Sequence, residues 1–358
     1  MAGDSSAQVP FRELTERPHL PSLDGLRAVA VAGVMAFHFG ALSFAFGRFG
    51  VTLFFVLSGF LITLLLLRER ERAGTISLRK FYVRRALRIF PAYYVFLAVS
   101  FTTMVLIGTP PDTTLILASL FYLLNYAIAL QVVPSSTVSH GWSLAVEEQF
   151  YAIWPALVVR FGRPPERLKR VVLGLLVAVA GWRTILAGIG VDGYAYYAFD
   201  TRFDALLIGC GLALCARDRW LQQVVRAVSL HPLLPVVPLA LLPWSLTFSG
   251  FFNATLGYTA EALLLAVLLV QAMTLRDRAP WRFLNTRPAR YLGALSYPMY
   301  LYHQPVAALV SHFGGWRSSV QFVANVALTV AAGAASYRLV ERPFLRMKRR
   351  WEVVPTRD

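Results

Sequence analysis

The segment LFFVLSGFLITLLLL, from Leu53 to Leu67, is a continuous apolar run without a charged side chain. With its flanks it reaches the roughly 18 to 20 residues that a helix needs to cross about 30 Å of hydrocarbon. Similar runs follow along the chain: VVLGLLVAVAGW, ATLGYTAEALLLAVLLVQAM and SVQFVANVALTVAAGAASY. Because these runs are continuous rather than alternating, they predict an all-α integral membrane protein and not a membrane barrel.

Composition supports a membrane protein and excludes a nucleic-acid-binding one. Of the 358 residues, 57% are hydrophobic and 15% are charged, whereas a soluble domain carries about 25% charged residues. The formal net charge of +16 comes from basic residues that lie between the apolar runs. That distribution is typical of a topology signal and of attraction to anionic lipid, and it does not form one basic face.

Basic loops set the predicted topology, because cytoplasmic loops carry an excess of lysine and arginine. The stretch from Arg68 to Arg88 is strongly basic and is placed in the cytoplasm, together with both termini. About ten transmembrane helices are predicted, near residues 25–45, 49–67, 91–108, 143–160, 171–189, 203–216, 231–249, 254–274, 291–313 and 320–340.

The apolar segment 113–131 is interpreted as a re-entrant or outer-surface segment. Counting it as a full span would place the basic stretch from Arg160 to Arg170 outside. Residues 1–19 are expected to be a polar cytoplasmic tail without a signal peptide, residues 20–346 the transmembrane domain, and residues 347–358 a basic cytoplasmic tail. The two cysteines, Cys210 and Cys215, have no metal-binding spacing, and no metal is expected.

Ionisable side chains inside predicted spans are functional candidates, because each is costly in hydrocarbon unless it is paired or faces a cavity. Arg27 and His38 lie eleven residues apart in the first span. On a helix that spacing places both on one face, about 16 Å apart along the axis. Arg27 would face a cytoplasmic anion, and His38 would titrate within the membrane. A structural alternative stays open, with Arg27 as a snorkelling anchor and His38 in an interhelical hydrogen bond.

The stretch SLRKFYVRRALRIFPAYY, which begins at Ser77, has two interpretations. It is a topology-setting loop that ends at Pro91, and it also resembles a phosphate cradle. Arginine offers forked donors that fit phosphate oxygens, and the interleaved aromatic side chains suit stacking on a nucleotide ring. The candidate residues for binding phosphate or a nucleotide are Arg79, Lys80, Tyr82, Arg84, Arg85 and Arg88.

Three further groups of polar residues are candidates. Glu147 and Glu148 either favour a helix N-terminus electrostatically or supply a carboxylate that orients a histidine or acts as a base. The second group clusters at a predicted outer helix end and consists of Asp200, Arg202 and Asp204, for which structural pairing is the alternative. The third candidate is His303, which is flanked by tyrosines in the ninth span, and core packing is its alternative. Arg183 and Glu261 are also placed in spans, and their partners cannot be read from the sequence.

Taken together, the motifs resemble the membrane-bound acyltransferase type 3 family. The resemblance covers about Leu20 to Arg346 and starts with the basic residue and histidine at Arg27 and His38. The other blocks follow in order: FVLSGFLIT, FYVRRALRIFPAYY, WSLAVEEQFYAIWP, SYPMYLYHQP and ERPF.

The resemblance implies a multi-pass enzyme of the bacterial inner (cytoplasmic) membrane. It would transfer an acyl group, acetyl by default, from cytoplasmic acyl-CoA to a hydroxyl of a glycan or a glycosylated small molecule. Arg27 and the arginine cluster would hold the phosphates, and His38 would act as general base or take the acyl group itself. Glu147 would orient His38 or contact the acceptor. The substrate-binding candidates are Glu148, Asp200, Arg202, Asp204 and His303.

Two other protein classes also fit part of the pattern. A glycan or lipid transporter or flippase uses intramembrane ionisable residues equally well, although no inverted repeat is visible. A scaffold for envelope assembly would tolerate changes at His38. With few residues after ERPF, the chain is expected either to finish the transfer itself or to use a separate extracytoplasmic transfer protein.

Overall fold

The computed structural model describes residues 11–17, 20–230 and 250–351, and this part of the chain is helical without any strand. The helices are α1 Phe11–Glu16, α2 Pro21–His38, α3 Phe44–Ala73, α4 Leu78–Leu106, α5 Thr113–Leu120, α6 Leu124–Ala129, α7 Trp142–Phe161, α8 Pro165–Gly188, α9 Asp192–Tyr197, α10 Phe199–Arg202, α11 Asp204–Leu214, α12 Arg219–Leu230, α13 Gly250–Phe252, α14 Tyr258–Thr274, α15 Arg287–Ala294, α16 Ser296–Gly314, α17 Ser318–Ser336 and α18 Arg342–Lys348. Wider π-helical turns, Asn253–Gly257 and Tyr337–Glu341, lead into α14 and α18, and short 3₁₀ turns form at Ser139–Gly141, Trp281–Asn285 and Arg349–Trp351.

Five helical stretches of the described chain are long and apolar enough to cross a membrane. They are Phe44–Ala73, Leu78–Leu106, Pro165–Gly188, Asn253–Thr274 and Ser318–Lys348. Each overlaps a predicted span, so the all-helical membrane class is confirmed. Four more predicted spans correspond to α2, α7, α11 and α16, which are not among the five. The predicted span 231–249 lies outside the described residues, so ten spans with both termini cytoplasmic stay a prediction.

The apolar segment 113–131 does not form one helix of spanning length. It is divided into α5 and α6, which have eight and six residues. Asp112 caps the start of α5 by accepting a hydrogen bond from the backbone N–H of Leu115, and Tyr122 adopts a left-handed backbone conformation between the two helices. This break agrees with the prediction that the segment is not a full span.

The basic stretch before Pro91 differs from its prediction as a long loop. The connection between α3 and α4 covers only Gly74 to Ser77, and Pro91 lies inside α4. Ser77 caps α4 with its side-chain oxygen, which accepts from the N–H of Lys80. Arg84, Arg85 and their neighbours therefore stand on helical turns, and the helix decides which of them face the same way.

Glycines bring α3 and α11 into backbone contact at the centre of the bundle. A Cβ atom on Gly59 would lie 1.9 Å from the carbonyl oxygen of Leu206, and one on Gly209 would lie 2.1 Å from that of Val56. Small residues permit such close approach of membrane helices. The contact explains the glycine of the FVLSGFLIT block and fixes α3 against the helices that carry the charged residues described below.

We predict that Gly59→Ala destabilises the protein, because the added methyl group meets backbone that cannot move aside. The expected loss is about 1–3 kcal/mol of unfolding free energy, measured as lower thermal stability of the detergent-solubilised protein. Gly174→Ala is the control, since nothing lies within 4 Å of a Cβ added there on α8. Equal stability of Gly59→Ala and the control would contradict the backbone contact.

Candidate active site

His38 is the last residue of α2 and contacts a second histidine. Its Nδ1 lies 3.0 Å from the carbonyl oxygen of Val34 and 3.2 Å from Nε2 of His303. The two rings are 4.8 Å apart between centroids. His303 is fully buried on α16, whereas His38 is only partly buried. His38 is therefore supported by protein where it meets His303, and part of its side chain remains exposed.

A third histidine completes this group, and the sequence analysis did not select it. His140, in the 3₁₀ turn before α7, is buried with its ring centroid 4.5 Å from that of His303. Its Nε2 lies 3.1 Å from the carbonyl oxygen of Leu301. The only sequence signal was its position beside the WSLAVEEQF block. Among the described residues, no group of three His, Cys, Asp or Glu side chains is arranged to hold a metal ion.

Three arginines come together toward the other end of α2. Arg27 contacts Asp24 at 3.6 Å, and its side chain is about one-quarter exposed. Arg88 is exposed and lies within electrostatic range of Arg27, Arg85 and Glu341. Since Arg85 and Arg88 are three residues apart on α4, they share a helix face. The group is suited to bind an anion, because guanidinium groups present forked donors.

Acidic residues hold one of these arginines in place. The Nη2 atom of Arg85 lies 3.2 Å from Oε1 of Glu148, and its guanidinium sits 3.5 Å from the centre of the Tyr151 ring. Glu341, in the ERPF block, is buried and within electrostatic range of Arg88. Glu148, predicted to bind acceptor, is thus engaged with the arginine cluster.

Glu147 does not orient His38 in this structure. Its carboxylate accepts a hydrogen bond of 2.7 Å from the hydroxyl of Ser58, while His38 is held by Val34 and His303. Glu147 lies within electrostatic range of Arg85 and Arg27. It is therefore on the side of the arginine cluster, and that part of its predicted role is corrected.

The other four predicted phosphate-binding residues have other contacts or are exposed. Arg84 pairs with Glu69 at 2.6 Å and donates to the carbonyl of Trp351. Arg79 lies over the Trp351 ring, 6.0 Å from its centre. The hydroxyl of Tyr82 donates to the carbonyl of Ala152, and Lys80 is exposed. Only Arg85 and Arg88 of the six join Arg27.

The interior between Arg27 and His38 is closed in this structure. Val31 and Val34 lie on the same face of α2 as these two residues, and both have 0% exposure. Arg27 and His38 at either end remain partly accessible. A ligand that reaches from one to the other must therefore displace the contacts around the two valines.

Arg202 and Asp204 do not line an open entrance, which corrects their predicted position. Both side chains are fully buried. Oδ2 of Asp204 lies 2.9 Å from Nη1 of Arg183 and accepts a 2.6 Å hydrogen bond from Thr259. Arg202 packs on the ring of Tyr258, 4.5 Å from its centre. These contacts support the structural alternative for this group.

Asp200 is separate from its two neighbours in the cluster. Its carboxylate accepts hydrogen bonds from Tyr126, Tyr194 and Trp182 at 3.1, 3.0 and 2.6 Å. The carboxylate thereby joins α6, α8, α9 and α10. It remains partly exposed, unlike Arg202 and Asp204, so a ligand can reach it.

The unassigned charges Arg183 and Glu261 both have buried partners. Arg183 pairs with Asp204, and Glu261 on α14 lies 2.8 Å from Nε of Arg48 on α3. Breaking a buried pair by removing one member leaves an uncompensated charge, whereas removing both does not. One pair therefore joins α8 to α11, and the other joins α3 to α14.

We predict that Asp204→Leu destabilises the protein by about 3–5 kcal/mol, because Arg183 is left charged and buried. Arg183→Leu should cost a similar amount. The double variant should be more stable than either single one, as measured by thermal unfolding of the detergent-solubilised protein. Losses that simply add in the double variant would contradict the pairing.

The described residues thus form a helical membrane protein with histidines at one end of α2 and three arginines near its other end. A family model described as an acyltransferase domain, Acyl_transf_3, matches residues 20–338. The chain therefore belongs to this acyltransferase family.

Named relatives are acetyltransferases. The chain is 35% identical over 356 residues to the peptidoglycan O-acetyltransferase OatA of Listeria monocytogenes serovar 1/2a, covering 91% of this chain and 56% of the relative. It is 30% identical over 350 residues to the O-acetyltransferase OatA of Staphylococcus aureus, covering 91% and 57%. The chain thus spans little more than half the length of these relatives. No solved structure matches it.

Proposed function

We propose that the protein is a membrane O-acyltransferase of the bacterial cell envelope. It moves an acetyl group from cytoplasmic acetyl-CoA to a hydroxyl of an extracytoplasmic or membrane-linked glycan. The observation that carries the proposal is the arrangement on α2, where Arg27 with Arg85 and Arg88 stands at one end and His38 with His303 at the other. Peptidoglycan is the first acceptor to consider, because a relative is named for it.

Donor binding follows from the arginine cluster. The phosphates of coenzyme A would contact Arg27 and Arg88, which are accessible, and Arg85, which Glu148 holds in place. Phosphate and guanidinium groups form paired, charge-assisted hydrogen bonds. The flexible arm of the donor would then extend along α2 past Val31 and Val34 and carry the thioester toward His38. This route requires the cytoplasmic placement of the Arg27 end, as the basic loops predict.

Acetyl transfer then needs one base. His38 takes the proton of the acceptor hydroxyl, whose oxygen attacks the thioester carbonyl carbon. The carbon–sulfur bond breaks, and the thiolate of coenzyme A leaves and receives the proton from His38. In the covalent variant, His38 itself attacks the carbonyl carbon, the carbon–sulfur bond breaks and the thiolate of coenzyme A leaves. The acceptor hydroxyl then attacks the acetyl-histidine, the acetyl–nitrogen bond breaks, and the hydroxyl proton neutralises the thiolate. Asp200 would contact the acceptor, and the chain would either finish the transfer itself or pass the acetyl group to a separate extracytoplasmic transfer protein.

A transporter or flippase is the alternative, since ionisable residues in a membrane interior also couple ion movement. The two functions differ in one product. An acyltransferase releases the free thiol of coenzyme A, and a transporter does not.

We predict that purified protein in liposomes releases thiol from acetyl-CoA and that His38→Ala lowers this rate by about 100-fold or more, because base catalysis is lost. Free thiol is followed colorimetrically with a soluble peptidoglycan fragment as acceptor. His312→Ala is the control, since His312 is exposed at the end of α16. Equal rates for wild type and a folded His38→Ala would reject His38. No release by wild type would reject the proposed donor or acceptor, and a glycan transport assay would follow.

A further inference from the structure

The backbone carbonyls around His303 and His38 determine which ring nitrogens carry hydrogen. Nδ1 of His303 lies 2.6 Å from the carbonyl oxygen of Tyr300. A carbonyl oxygen only accepts, so this nitrogen carries the hydrogen. In a neutral ring the other nitrogen, Nε2, is then an acceptor. That acceptor is the atom that lies 3.2 Å from His38.

The tautomer of His38 follows from the two atoms that its Nδ1 contacts. Its Nδ1 lies 3.0 Å from the carbonyl oxygen of Val34 and also faces Nε2 of His303. Both of those atoms are acceptors, so Nδ1 of His38 must be the donor. The opposite assignment would set a lone pair of His38 against the lone pairs of the Val34 oxygen. Neither hydrogen bond of His38 uses Nε2, which is left with its lone pair.

We infer that His303 is a positioning residue that, together with the Val34 carbonyl, holds His38 with hydrogen on Nδ1, so that Nε2 is the atom that reacts. This inference rests on the proposed function, because the reaction at Nε2 is the proposed acetyl transfer. It holds whether His38 removes a proton or takes the acetyl group. When Nε2 gains a proton or an acetyl group, the ring becomes positively charged. The acceptor nitrogen of His303 then stabilises the Nδ1–H that points at it.

His303 has no direct access to an acceptor molecule. Its side chain is 0% exposed, and both of its nitrogens are engaged. The sequence-based assignment of His303 as a substrate contact is therefore replaced by support of His38 from behind.

His140 keeps His303 in place. The two rings meet nearly edge to face with centroids 4.5 Å apart, and the ring of Phe96 packs on His140 at 5.4 Å. Nε2 of His140 faces the Leu301 carbonyl at 3.1 Å and so carries hydrogen. The ring is thereby anchored to the same helix that carries His303. The rings of Phe96, His140 and His303 thus contact one another in sequence and lead to His38, whose side chain remains partly exposed.

The test combines two substitutions of His303 with a direct measurement of the His38 tautomer. His303→Gln keeps an acceptor oxygen at this position, and His303→Leu removes it. The protein has six histidines, and ¹⁵N-histidine NMR of the full chain in lipid nanodiscs, with His38→Ala to assign the signal, reports which nitrogen of His38 carries hydrogen. Thiol release from acetyl-CoA with a soluble peptidoglycan fragment gives kcat and KM, and His312→Leu is the matched control.

We expect wild-type His38 to carry hydrogen on Nδ1 and His303→Leu to show a mixture of both tautomers. The kcat of His303→Leu should fall about 100-fold, with KM for acetyl-CoA little changed, because the positively charged His38 ring loses the acceptor that stabilises its Nδ1–H, while donor binding stays intact. The kcat of His303→Gln should stay within about 10-fold of wild type, because the glutamine oxygen can still accept from Nδ1–H of His38.

Two results would overturn the inference. One is a wild-type His38 with hydrogen on Nε2, which can be established even where a variant fails to fold. The other is a folded His303→Leu with wild-type kcat, or with the same loss as His303→Gln and an unchanged His38 signal. A wild-type protein that releases no thiol rejects the proposed function instead, while the NMR signal still decides the tautomer.

Discussion

An ionisable side chain within a membrane needs a partner or access to water, and this constraint separates structural from functional residues in the protein. The pairs Arg48–Glu261 and Arg183–Asp204 are sealed, with almost no exposed surface. They connect four helices of the bundle and have no room for a ligand. Arg27 and His38 are different, because each keeps accessible surface at its end of α2.

The local part of the site could be predicted from the sequence. A helix fixes the relation between residues eleven positions apart, so Arg27 and His38 were expected on one face before any tertiary contact was known. The same periodicity and the length of the apolar runs gave the helical membrane class. Motifs in order along the chain gave the family, which the match over residues 20–338 confirms.

The remaining features depend on contacts between distant parts of the chain. His303 is 265 positions from His38, and no local pattern indicates that their rings meet. Arg202 and Asp204 were expected at an entrance because a charge near a helix end looks the same in sequence whether it is sealed or exposed. The basic stretch before Pro91 was expected to be one cradle, yet its helical conformation turns Arg79 and Arg84 toward Trp351 and leaves Arg85 and Arg88 facing Arg27.

The central claim is that one donor molecule joins the two ends of α2, and a structure with a bound donor tests it most directly. The measurement is cryo-electron microscopy of the protein in nanodiscs with a non-hydrolysable acetyl-CoA analogue. We expect the phosphates in hydrogen-bonding contact with Arg27, Arg85 and Arg88. We also expect the arm to displace the contacts of Val31 and Val34 and to place the carbonyl carbon about 3–3.5 Å from Nε2 of His38. A donor bound elsewhere, or one whose arm never approaches His38, would contradict it.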